Sequence, residues 1–170
     1  RSDCKYPFKN LCGAGVALKF SKCLYDEFEI DEEKFLDLIQ FASIATVCDV
    51  VDLVDEIRII VKKGLELLNN TKNFGMQELK KSTGLSDKRI EEYHLGFVIG
   101  PCINATGRLE TANLSVELLI TDDVNKAKAL ANQLSELNTI RQDLTKESTE
   151  KIIEKIENEK NKEEKEEYPY

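Results

Sequence analysis

Asp49 stands inside the run IATVCDVV, residues 44–51, and its setting suggests chemistry more strongly than any other residue's. A carboxylate within a short, β-branched apolar run is costly to bury unless it is hydrogen-bonded, paired or bound to a cation. Metal ligands are often placed this way, at strand ends that face a crevice. The same residue also fits a plainer role, capping the turn after the strand. Asp52 and Asp55 follow closely and read as turn residues. Arg108 is the second candidate. It ends HLGFVIGPCINATGR, residues 94–108, a segment with three Gly and one Pro ahead of a helical stretch. Backbone amides freed by glycines, a helix N-terminus and a guanidinium make a phosphate cradle, which Asn104 can supplement with its amide. The alternative is a structural loop using Gly for tight turns. The segment holds no Lys and does not fit a P-loop. His94, the one His of the chain, can meet a phosphate or a metal, or bond backbone at a helix end.

Other constellations are weaker. Gly13-Ala14-Gly15 lacks the remaining glycine of a dinucleotide fingerprint. Cys4, Cys12, Cys23, Cys48 and Cys102 are odd in number and form no C-x-x-C pair. They read as reduced packing thiols of a cytoplasmic protein, not as a disulfide framework or a zinc site. The net charge of −8 argues against a broad basic surface for duplex DNA, because phosphate neutralisation needs clustered Lys and Arg. Residues 146–170 hold nine Glu and six Lys. Nucleic-acid contact must therefore rest on a few placed cations or on bound metal. No apolar stretch is long enough to span a bilayer, and the N-terminus shows no signal-peptide pattern.

The elements that must position these residues follow from periodicity. Residues 1–12 read as a loop, and 16–24 as a short helix. Asp31 is a fitting N-cap for a helix over 32–41. Residues 44–51 suit a strand buried on both faces, as in a parallel sheet. Helices are predicted over 55–68, 76–82 (ended by Gly84), from Ser86 or Asp87 toward Tyr93, and over 113–120. Residues 94–108 read as irregular. From Val124 to Glu167 there is no Pro or Gly. Leu130, Leu134, Leu137, Ile140 and Leu144 form an amphipathic stripe, so one long helix is expected, docked in its first half and solvated in its second.

These residues also match a known family. The opening stretch, from Tyr6 and Pro7 through Gly13–Ala17, resembles the part of RecJ-type, DHH-family exonucleases that follows the Asp-His-His motif. IATVCDVVDL at 44–53 resembles the family's G-T-I/V-A-D-V/M-V-P-L, and VDEIRIIV at 54–61 its V-G-E-N-R-I-L-V. YHLGFVIGPCINATGR at 93–108 resembles H-x-G-F-x-I/L-G-P-R-I-N-A-x-G-R, and LNTIRQ at 137–142 resembles L-N-x-x-R-Q. The blocks keep the family's order over about residues 5–145.

The resemblance implies a 5′→3′ exonuclease on single-stranded DNA in recombination and repair. It would use Mn²⁺ or Mg²⁺, held by Asp and His, to activate the attacking water. Asp49 falls on the family's last metal-binding Asp, and Arg108 on an Arg of its phosphate-binding region, with His94, Asn104 and Gln142 nearby. The expected fold is α/β and helix-rich. Residues 1–122 would be the C-terminal portion of a DHH-type parallel-sheet domain, and 123–167 a connector helix toward a further domain. Residues 168–170 are set aside as an added tail. The family's D-x-D, middle Asp, Asp-His-His and glycine-rich His motifs are absent, Cys102 stands where the family often has Arg, Asp52 replaces Pro and Ile57 replaces Asn. The chain is therefore expected to be an inactive fragment of a longer enzyme, self-associating through an exposed sheet face. Competing readings are a DHH phosphoesterase for short oligonucleotides or cyclic dinucleotides, and a non-catalytic helical adaptor.

Overall fold

The structure is a computed structural model, and it describes residues 3–109 and 112–167, without the side chains of 106, 108, 109 and 159–167. Among the described residues eight α-helices run in order: α1 (Gly13–Glu27), α2 (Glu32–Cys48), α3 (Asp55–Asn69), α4 (Phe74–Ser82), α5 (Glu92–His94), α6 (Gly100–Leu109), α7 (Asn113–Ile120) and α8 (Val124–Glu167). A π-turn, Leu95–Ile99, joins α5 to α6.

Among the described residues there is no strand, so the expected parallel sheet is absent and the α/β reading is corrected to all-helical. Residues 44–48 are the last turn and a half of α2. The cause of the misreading is burial. Ala42, Ser43, Ile44 and Thr46 are all buried, because α2 lies between the two apolar cores. A helix covered on several sides has no polar stripe, and its apolar run then looks like a buried strand. The small polar groups are satisfied within the helix. Ser43 Oγ donates to the Gln40 carbonyl at 2.7 Å and Thr46 Oγ1 to the Ala42 carbonyl at 2.7 Å. With no sheet, association through a sheet face has no support either.

Residues 94–108, expected to be irregular, are helical and not a loop. Pro101 removes a backbone donor near the start of α6. The ladder meets this through the π-turn, in which the Gly100 N–H reaches the Leu95 carbonyl. The glycines serve close approach instead of turning. A Cβ on Gly100 would lie 2.2 Å from Cys48 Sγ, and one on Gly96 would touch Val47 at 3.6 Å. The cradle of amides freed by glycines is therefore not formed. The helix expected from Ser86 or Asp87 is also reduced, to Glu92–His94, with Glu91 as its N-cap.

Elsewhere the local signals hold. Asp31 accepts from Glu33 N–H at 3.0 Å, and Gly84 follows α4 with φ 72°. Asp123 accepts from Asn125 and Lys126 N–H at 2.8 and 3.2 Å and starts α8. The larger core joins Leu68, Met76, Leu79, Leu95, Ile99 and Leu118 to Ala127, Ala131 and Leu134 of α8. The smaller one holds Leu18, Ala42, Ile57, Ile60 and Val61. Among the described side chains of α8, the last buried one is Asn138. Ile152, Ile153 and Ile156 are exposed.

Candidate functional site

The end of α2, the π-turn with the start of α6, and α8 meet around a cavity of about 130 Å³. Cys48, Gly96, Gly100, Pro101, Asn104 and Arg141 line it. The missing side chain at Gly100 is what lets α2 approach, with Cys48 Sγ 3.6 Å from the Leu95 carbonyl. A Cβ there would also stand 2.7 Å from that carbonyl. Gly100→Ala is therefore expected to destabilise the fold by about 1–3 kcal/mol through overpacking. Urea unfolding checks this; an unchanged midpoint would mean that the helices are not this close.

Asp49 caps the C-terminus of α2, its N–H bonded to the Ala45 carbonyl at 2.9 Å. It is exposed, not buried as expected, so its carboxylate keeps its water and needs no cation to offset desolvation. Its position still carries weight. It directly follows Cys48 of the cavity wall, and its carboxylate sits at the negative end of a helix, where a cation is favoured and an anion is not. The next residue, Val50, has φ 55°, a left-handed conformation that a β-branched side chain adopts only under strain. Val50 is 87% exposed, so its side chain gains little from packing. Val50→Asn, which tolerates this region, is expected to stabilise by about 0.5–1 kcal/mol in urea unfolding. A loss of stability would contradict the strained turn.

Arg141 is the residue the sequence reading passed over. Its Nε and Nη2 donate to Asn138 Oδ1 at 3.2 and 3.0 Å, and Asn138 is itself buried. Among the described residues Arg141 forms no ion pair with a carboxylate. The signal that marks it is spacing. Leu134, Asn138 and Arg141 follow one helical stripe, whereas the favoured Gln142 is exposed. Burial pushes the Cys102 thiol up to about 11, against the pull of Arg141 and an Asn138 hydrogen bond. Burial, then the Asp49 charge, raises that of Cys48. Both are therefore neutral packing groups, and all five cysteines are free.

Of the predicted residues, Asn104 lines the cavity and Asp49 adjoins it. His94 and Gln142 are not among its lining residues. His94 Nδ1 accepts from Glu91 N–H at 3.1 Å in a capping box, the plainer of its two roles. The Arg108 side chain lies outside the described residues; its backbone belongs to α6. For a divalent cation, Asp49 supplies a hard oxygen donor of the right kind but a single one. Among the described residues no group of three or more His, Cys, Asp or Glu is placed to hold a metal. None of the described helices is long and apolar enough to cross a membrane.

No family model matches the chain. Curated relatives do. It is 40% identical over 154 residues to the single-stranded-DNA-specific exonuclease RecJ of Bacillus subtilis, covering 91% of this chain and 19% of the relative. It is 32% identical to RecJ of Escherichia coli, covering 84% of this chain and 26% of the relative. Solved structures agree. A RecJ bound to manganese superposes with a TM-score of 0.79 at 30% identity, over 89% of this chain and 38% of that one. RecJ of Thermus thermophilus in complex with Mg²⁺ gives 0.76 at 31%, over 88% of this chain and 23% of that one. The chain thus spans about a fifth to a quarter of the length of these curated relatives.

Proposed function

We propose that this chain, RecJ-type in sequence and fold, forms one segment of a metal-dependent exonuclease that degrades single-stranded DNA from its 5′ end in cytoplasmic recombination and repair. The observation that carries the reading is the agreement of two likenesses. The sequence is 40% identical to a RecJ named as a single-stranded-DNA-specific exonuclease, and the fold superposes at 0.79 on a manganese-bound RecJ. Asp49 is one ligand of a Mn²⁺ or Mg²⁺ site, its carboxylate offered at a helix C-terminus that favours a cation. One carboxylate does not hold a divalent ion for catalysis, so the remaining ligands come from other parts of the enzyme. When bound, the metal lowers the pKa of a water and neutralises phosphate charge. Asn104 and Arg108 bind backbone phosphates, and the likeness to RecJ assigns His94 and Gln142 to the same task. In this reading residues 1–122 belong to the C-terminal portion of the DHH phosphoesterase domain, and 123–167 link it to a further domain.

The test is a chimera. The matching stretch of the Bacillus subtilis RecJ is replaced by this chain, and digestion of end-labelled single-stranded DNA is followed with Mn²⁺ or Mg²⁺ present. The chimera is expected to release nucleotides from the 5′ end, and the 170-residue chain alone to release none. A folded but inert chimera would refute the assignment, as would processive cleavage by the isolated chain.

A further inference from the structure

Tyr93 and Phe97 are 64% and 69% exposed, yet their rings stack on each other, centroids 4.9 Å apart and planes 25° from parallel. Large aromatics facing solvent give up favourable burial, and here two do so side by side. They occupy the helical segment that continues into Gly100 and Asn104 of the cavity wall. At 1.5 Å per residue, Phe97 stands roughly 5–10 Å along the axis from those two positions. The cavity itself offers the Arg141 guanidinium, fixed on Asn138, with no carboxylate partner among the described residues. A fork of N–H donors held rigid but unneutralised suits a phosphate oxygen. Asn104 adds an amide to the same wall.

We propose that this surface is a nucleotide subsite: Arg141, with Asn104, takes a backbone phosphate of a single strand, and the Tyr93–Phe97 pair takes the adjoining base by stacking. The inference rests on the single-stranded-DNA reading above and adds residues which that reading does not use. A stack of exposed rings accepts any base, because every base has a π-face, so the subsite is blind to sequence. In a chain of net charge −8, one placed guanidinium supplies the attraction that the bulk surface does not. A protein cover for the same rings is the competing occupant. It gives no purpose to the unneutralised guanidinium in the cavity wall.

The test is fluorescence anisotropy of the 170-residue chain with a short 5′-phosphorylated oligothymidylate carrying a 3′ dye, at several salt concentrations. Arg141→Gln is expected to weaken binding about ten-fold and to flatten the slope of log K against log salt by about 0.7. Arg141→Lys should restore the slope but only part of the affinity, since the charge returns without the fork. Phe97→Leu should weaken binding about ten-fold with the slope unchanged. Unaltered affinity and slope in Arg141→Gln would overturn the proposal. So would equal losses in all three variants with one common slope, the mark of a merely structural role. Full binding by Phe97→Leu would hand the rings to a protein partner and overturn the base half. An unaltered chain that leaves the probe free up to about 1 mM at low salt would overturn the whole. The chimera reports separately on the reading beneath: digestion without this binding pattern sinks only the subsite, and binding without digestion sinks only the exonuclease assignment.

Discussion

Leu134→Ala is expected to cost about 2–5 kcal/mol in urea unfolding, the range for removing a buried Leu side chain and leaving a cavity. Leu134 is fully buried in the larger core, near the end of the docked stripe of α8. That core also holds residues of α4, the π-turn, α6 and α7, so the lost contacts weaken several helices at once. The comparison within the same helix is as informative. Ile153 is 50% exposed on the outer half of α8, and Ile153→Ala should change stability by less than about 0.5 kcal/mol. Similar costs at both positions would mean that the two halves of α8 are not docked and solvated as described.

Gly75→Ala is expected to be comparably severe, about 3 kcal/mol, for the opposite reason. A Cβ on Gly75 would stand 1.9 Å from the Leu118 carbonyl oxygen and 2.7 Å from its carbon. Both are backbone atoms and cannot swing away, so α4 and α7 would have to part. Separation also strains the bond by which Asn73 Nδ2 donates to the Leu119 carbonyl at 2.8 Å, and Asn73 is the N-cap of α4. A parallel drop in the urea midpoint and loss of amide protection in α7 should follow. An unchanged midpoint would show that the two helices do not cross at Gly75.

What the sequence made legible and what it hid divide along physical lines. Helices with one wet face announced themselves. The run of α8 without Pro or Gly, the cap at Asp31 and the stop at Gly84 are local signals that tertiary packing did not override, although only Leu130 and Leu134 of the predicted stripe are buried while Ile140 and Leu144 are exposed. Residues 44–48 failed because α2 is covered on several sides, and period is invisible where no side is polar. Residues 94–108 failed because Gly and Pro were taken as loop chemistry. At Gly96 and Gly100 the glycines admit a neighbouring helix, and the π-turn absorbs Pro101. The site was half visible. Asn104 lines the cavity and Asp49 adjoins it, but Asp49 is exposed, so the role proposed for it rests on its position and on the likeness to RecJ and not on costly burial. Arg141 was overlooked for Gln142, although the spacing from Asn138 places it on the docked side of α8. No sequence pattern marks a guanidinium as unneutralised; that depends on which carboxylates stay away.

The assignment of Asp49 is open to the most direct measurement. In the Bacillus subtilis chimera, Asp49→Ala should lower Mn²⁺-dependent digestion of single-stranded DNA at least about 100-fold, since even outer-shell partners of a bound metal are worth 10–100-fold. Its thermal midpoint without metal should match that of the parent chimera, because an exposed side chain at a helix end carries little packing. Digestion within about three-fold of the parent, at equal fold stability, would remove Asp49 from the metal site and with it the chemical role given to this chain.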